Sequence, residues 1–173
     1  LTAGTLSSGD QVLGQMVAGA GVSPIARYRS GTPNYWQYLI PEYATNVPVN
    51  HGLVVRCANE VTITFAGVVP TNVVQVAREI AGGNQFTLLG MSWCAPVAIS
   101  NLFGAQLTAG TLSSGDQYLL QTTLGGGMSP AARYRSGTPN YWQYLVPEGS
   151  NAWPMRVFML RAQQGTNLVY HIE

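Results

Sequence analysis

Residues 1–42 and 107–148 are nearly the same sequence, and no other property of the 173-residue chain restricts its fold as strongly. Aligned at an offset of 106, the two blocks agree at 33 of 42 positions. A repeat this close means that whatever one block forms locally, the other forms too, so the architecture is built from two equivalent pieces. A weaker echo follows each block. Leu53-Val54-Val55-Arg56, a polar break and Val61-Thr62-Ile63-Thr64-Phe65 correspond to Phe158-Met159-Leu160-Arg161, a second break and Leu168-Val169-Tyr170-His171-Ile172. Residues 71–106 occur once and lead into the second block. The reading is therefore a first copy over residues 1–70, N-terminally incomplete, and a second over 71–173 that includes its leading segment 71–106. Both ends are expected to be cuts in a longer array.

Local patterns favour strands. Val61, Ile63 and Phe65 alternate with threonines, and Leu168, Tyr170 and Ile172 repeat the period of two expected of a half-buried strand. Ser30-Gly31-Thr32-Pro33-Asn34 separates Arg27-Tyr28-Arg29 from the Tyr35–Leu39 stretch. Its Gly, Pro and Asn each favour a turn for a different reason, which predicts a hairpin with a five-residue loop. Val73–Ile80 fits a strand or a helix, Gln85–Trp93 a strand, and Pro96–Phe103 one or two helical turns closed by Gly104. No long amphipathic helix is visible. The fold class is thus all-β, two tandem copies of a sandwich- or barrel-like unit with a short helical turn.

Phe86-Thr87-Leu88-Leu89-Gly90-Met91-Ser92, then Leu102-Phe103-Gly104-Ala105-Gln106-Leu107-Thr108-Ala109-Gly110, then a Tyr/Trp-rich hairpin and a β ending, resembles a family of uncharacterised secreted bacterial tandem β-repeat proteins. The likeness covers most of the second copy and the matching part of the first. It implies a location outside the cytoplasm and carries no assigned chemistry.

Charge excludes several functions. Only 9% of residues are charged, against roughly a quarter in an average domain. The eight cations are all Arg, and they balance seven acids without forming a basic cluster, so nucleic acid is not an expected partner. With 46% hydrophobic residues the chain can bury a core, yet no apolar run approaches the ~20 residues needed to span a bilayer.

The sequence holds no nucleotide-binding loop, zinc-protease pattern, nucleophile elbow or EF-hand loop. His51 and His171 are the only imidazoles, too few for a convergent metal site, and His171 falls on the polar side of its strand. Asp10 and Asp116, with Glu42 and Glu148, offer the paired carboxylates of a glycoside hydrolase. The Ser-Ser-Gly-Asp context instead describes a turn capped by an aspartate. No enzyme activity, catalytic residue, metal or cofactor is expected. Cys57 and Cys94 fit either a disulfide between the copies or two separate thiols.

The richest candidates for binding are Arg27, Tyr28, Tyr35, Trp36 and Tyr38, repeated as Arg133, Tyr134, Tyr141, Trp142 and Tyr144. Flat aromatics beside Arg forks suit an interface or a sugar-stacking surface, and also packing across a hairpin. The two copies differ at Val12/Tyr118, Met16/Thr122, Val17/Thr123 and Ala18/Leu124, a stretch expected to face different neighbours. The expected function is that of an extracellular structural subunit polymerising with copies of itself into a filament or surface assembly, by strand complementation. The alternative is a secreted adhesin or carbohydrate-binding module that takes surface glycans on the Tyr/Trp hairpins.

Overall fold

The computed structural model describes residues 1–5, 8–44, 51–62, 74–90, 95–103, 106–111, 114–154 and 156–172, with the backbone alone for 74–78 and 170–172. Thirteen strands and one five-residue α-helix make the described chain an all-β protein. In chain order, β1 is Gln11–Gly14, β2 Ser23–Arg29, β3 Tyr35–Tyr38 and β4 Leu53–Arg56, with a 3-10 turn at Pro41–Tyr43. Next come β5 Val74–Ile80, β6 Gln85–Leu89, β7 Val97–Ala98 and α1 Ile99–Phe103. The remainder is β8 Gln117–Gln121, β9 Met128–Arg135, β10 Tyr141–Tyr144, a 3-10 turn at Pro147–Ser150, β11 Asn151–Ala152, β12 Phe158–Ala162 and β13 Thr166–Ile172.

The strands form antiparallel sheets in the orders β3-β2-β1-β4 and β10-β9-β8-β12-β6, with β11-β7 and β13-β5 as two-stranded companions. The near-identical sequences pair in the same register. Gln11 faces Arg27 and Gln117 faces Arg133, and each ladder shifts at the same place, between Val12 and Leu13 and between Tyr118 and Leu119. Val73–Ile80 resolves as a strand from Val74, paired along its whole length with β13. There the β-branched valines and the partner strand outweigh the helical preference of Ala77-Arg78-Glu79. The helix expected over Pro96–Phe103 is confined to Ile99–Phe103, because Val97 and Ala98 pair with β11. Val61 and Thr62 lie outside any strand, and the rest of the strand expected at Val61–Phe65 lies outside the described residues. So does Gln85–Trp93 beyond Gly90.

Burial separates the two sheets. The main core gathers Ile80 and Leu89, the α1 residues Ile99, Leu102 and Phe103, and the inner face of β8, β9, β10 and β12. The side chains on that face alternate along each strand, so Tyr118, Leu120, Phe158 and Leu160 all point towards α1. Phe103 sits at the centre, its ring centroid 6.2 Å from Tyr118, 5.9 Å from Trp142 and 6.0 Å from Phe158. Aromatic contacts at this spacing add to the burial of large apolar surfaces. The first sheet adds nothing to this cluster: Ile25, Ala26 and Tyr43 are its buried apolar residues among those described.

The first sheet is joined to the second through the edge of β6. Gln15, just after β1, accepts the Leu88 N–H at 2.7 Å and donates to the Phe86 carbonyl at 2.8 Å, capping two outward backbone groups of β6. His51 bridges Leu89 beside them. Gln15 also donates to the Ala20 carbonyl of its own turn at 2.6 Å, the bond that its duplicate Gln121 makes to Gly126 at 2.6 Å.

Trp142 is 9% exposed while Trp36 is half-buried, although each lies in the same fourteen-residue sequence. Trp142→Ala is therefore expected to cost about 3–5 kcal/mol in chemical denaturation. Trp36→Ala should cost only about 1–2 kcal/mol. Equal losses would contradict the difference in packing.

Candidate functional site: aromatic hairpins and buried aspartates

The two hairpins match the expected design. Each loop runs five residues, Ser30–Asn34 and Ser136–Asn140, with a cis bond before Pro33 and Pro139. Asn34 Oδ1 accepts the Gly31 N–H at 3.1 Å, and Asn140 Oδ1 accepts the Gly137 N–H at 3.2 Å. The asparagine side chain thereby satisfies a backbone donor that the tight loop leaves free.

Register sorts the candidate residues into two faces. Tyr28 lies opposite Trp36 and Ala26 opposite Tyr38, while Arg29 lies opposite Tyr35 and Arg27 opposite Gln37. The second hairpin repeats this with Tyr134–Trp142, Ala132–Tyr144, Arg135–Tyr141 and Arg133–Gln143. Directly opposed residues share a face of an antiparallel pair. The tryptophans therefore belong to the inner faces, tilted against their tyrosines at 5.2 Å in both copies. Tyr35 and Tyr141 belong to the outer faces, beside the arginines. Tyr35, Tyr38, Tyr141 and Tyr144 are each about half exposed, so the accessible rings are tyrosines.

The outer faces carry a motif that residue-by-residue reading of the sequence does not reveal. Across the first sheet, Gln37, Arg27, Gln11 and Arg56 stand in one row, each opposite the next. Across the second, the row is Gln143, Arg133, Gln117 and Arg161, ending on Phe86, whose ring lies 5.9 Å below the Arg161 guanidinium. The Nε atoms of Arg27 and Arg133 are buried without a hydrogen-bond partner among the described residues. Matching residues at the same rung of each strand are the sequence signal, and strand order is needed to see it.

The repeated aspartates hold the sheets together. Asp10 is fully buried and accepts the Thr2 N–H at 2.7 Å with one oxygen and the Ala58 N–H at 2.9 Å with the other. Asp116 does the same with Thr108 and Gln163, both at 2.8 Å. Each carboxylate links the segment before the first strand to the turn after β4 or β12. The preceding glycine makes the approach possible: Gly9 has φ of 90° and Gly115 of 94°, and a Cβ on Gly9 would meet the Tyr28 carbonyl at 2.6 Å.

The same constellation titrates in opposite directions. Burial raises the pKa of both carboxyls. At Asp10 the donors Ala58 and Thr2, the N-terminal charge and the Cys57 thiol outweigh it and leave the carboxyl below its ordinary value. Asp116 lies under more protein, and there burial prevails over Gln163 and Thr108 and leaves the carboxyl above it. Burial likewise pushes the Cys57 thiol up, and the neighbouring Asp10 charge adds to the shift. Cys57 is a free thiol, and Cys94 lies outside the described residues.

The remaining candidates stand apart. Glu42 and Glu148 are exposed in the 3-10 turns, away from the buried aspartates. His51 Nδ1 lies 2.9 Å from the Tyr43 hydroxyl, and His171 is on β13 opposite Gln75. Among the described residues no three of His, Cys, Asp and Glu converge to hold a metal, and no helix is long and apolar enough to cross a membrane. What the arrangement offers is recognition: exposed tyrosines, the exposed Gln37, Arg56 and Gln143 at the ends of the rows, and strand edges.

Asn in place of either aspartate leaves one acceptor where two N–H donors converge, at a cost of about 1–3 kcal/mol. Asp10, with its pKa lowered on folding, contributes stability that is complete above the ordinary carboxyl value and lost as pH falls through the lowered one. Asp116, with its pKa raised, contributes stability that is present below the ordinary value and lost as pH rises through the raised one. In urea unfolding from about pH 7 to about pH 3, Asp10→Asn should flatten the acid loss of stability and Asp116→Asn should steepen it. Parallel profiles for the two variants would show that the shifts are absent.

No protein-family model, curated protein or solved structure matches the chain.

Proposed function

We propose that this chain is a structural subunit of an extracellular assembly, joined to its neighbours through an open strand edge of the first sheet. The observation that carries this reading is the contrast between β4 and β12. Both follow their hairpins and both pair with the first strand of the block, β4 with β1 and β12 with β8. β12 is flanked on its other side by β6, whereas β4 ends its sheet among the described residues.

Soluble proteins guard such edges with lysines, prolines or inward charges. Leu53-Val54-Val55 carries none of these, and Arg56 stands only at its end. Beside it runs a groove of about 660 Å³ where Val54, Val55, Val61 and Leu124, the last 89% exposed, give an apolar stretch next to Arg56 and Glu60. An incoming strand would gain main-chain hydrogen bonds from β4 and apolar contact from this groove. A contact between two different surfaces that does not close on itself builds an open filament. The low charge, the absence of lysine and the likeness to secreted repeat proteins support a place outside the cytoplasm.

A second reading, a glycan-binding adhesin, draws on the outer faces. Tyr35 and Tyr141 are exposed opposite Arg29 and Arg135, and an exposed ring beside a guanidinium suits stacking on a sugar ring.

Under the leading reading, the purified chain forms regular polymers by electron microscopy, and Val55→Lys leaves it monomeric in light scattering without lowering its melting temperature. Polymers unchanged by Val55→Lys would refute assembly through β4. Under the second reading, Tyr35→Ala combined with Tyr141→Ala abolishes retention on a glycan array, and unchanged retention rejects it.

A further inference from the structure

The inner face of the first sheet is the counterpart of the face that α1 covers on the second. On the second sheet Phe103 is held among Tyr118, Trp142 and Phe158. The repeat places Val12 at the position of Tyr118 and Trp36 at that of Trp142. The ladders place Leu53 at that of Phe158, since Phe158 pairs with Leu120, Leu53 pairs with Gly14, and Gly14 and Leu120 are the same position of the repeat. Val12, Trp36 and Leu53 line a single groove of about 180 Å³, completed by Ile25, Tyr38 and Tyr43. The volume is on the order of the ~150 Å³ apolar cavity that accepts one benzene ring.

Two exchanges between the copies open this groove. Val12 and Leu53 are smaller than Tyr118 and Phe158 and leave room where the second sheet is filled by its own rings, while Ile25, larger than its counterpart Ala131, lines the groove. Tyr43 replaces Gly149 and forms one wall, its hydroxyl held 2.9 Å from His51.

We propose that this groove is the docking site for a partner polypeptide that carries counterparts of β6 and α1: a strand, and a helical turn that ends in an aromatic ring, the ring seated between Val12, Trp36 and Leu53. One such segment supplies both things that the first sheet lacks relative to the second, a strand beside β4 as β6 lies beside β12, and a helical turn over Trp36 as α1 lies over Trp142. The chain's own β6 and α1 are engaged on the second sheet, and moving them would open one face to cover the other. The occupant is therefore an additional segment of this kind. The proposal rests on the reading of the chain as an assembly subunit and names what that subunit receives.

The test uses the full chain and a synthetic peptide of residues 85–106 with benzoylphenylalanine at position 103, irradiated together and mapped by mass spectrometry. The expected attachment is to Val12, Trp36 or Leu53. Leu53→Asp should reduce it about tenfold by placing a carboxylate against the ring. Leu53→Phe, which reproduces the second sheet and keeps an apolar side chain, should retain or raise it. Attachment only to Tyr118, Trp142 and Phe158, or attachment indifferent to Leu53→Asp, overturns the proposal. Polymers that form without any capture at Trp36 overturn this site and leave the structural role standing. Capture at Trp36 by a chain that stays monomeric at all concentrations upholds the site and overturns self-assembly.

Discussion

Two buried carboxylates hold this protein's sheets in register. Asp10 and Asp116 each collect two backbone N–H groups from segments about fifty-five residues apart in sequence, so a single side chain ties the entry of a block to its exit. Charge-assisted hydrogen bonds to a buried carboxylate are strong, and no water competes for them. Their main chains take part as well: Tyr28 and Tyr134 donate to the Asp10 and Asp116 carbonyls at 2.8 and 2.9 Å. The hairpins that carry the aromatic rings are thus anchored at their bases by the residue that, read as a motif alone, resembles half of a catalytic pair.

The duplication makes the molecule its own control. Identical hairpins give the same loop, the same bulge and the same Tyr–Trp contact, because these depend on interactions within about forty residues. Burial does not follow the repeat. Trp142 is part of the core and Trp36 borders a groove, since α1 reaches one face and not the other. The aspartates show the same division: their backbone hydrogen bonds match, yet the N-terminal charge and the Cys57 thiol favour the Asp10 carboxylate while the protein packed around Asp116 disfavours its own. Context supplied by nonrepeated residues therefore sets how each copy is used.

Those nonrepeated residues also define the surfaces open to a partner. β6 and α1 complete the second sheet along its edge and over its face, and Gln15 uses the edge of β6 to attach the first sheet. On the first sheet the corresponding edge and face meet at Leu53. A strand edge whose one charge, Arg56, stands at its end, next to an apolar groove, favours pairing with another polypeptide. The outer faces, with their rows of Gln and Arg, are chemically distinct and point away from this groove.

The sequence by itself determined the strand content, the hairpins with their five-residue loops, the equivalence of Asp10 with Asp116 and the pairing of each tyrosine with its tryptophan. These follow from local turn chemistry, the period of two and near-identity, all of which act over short separations. Tertiary structure decided that Phe103 would be the centre of the core, that Gln11 and Arg27 would share a row with Arg56, and that Val12 and Leu53 would mark a groove. The differences at Val12 and Tyr118 were visible in the sequence as a change of neighbour, but not the neighbour itself. Which strand lies beside β12, and what covers each inner face, depends on contacts between residues distant in the chain. No local pattern encodes the free energy of bringing those together.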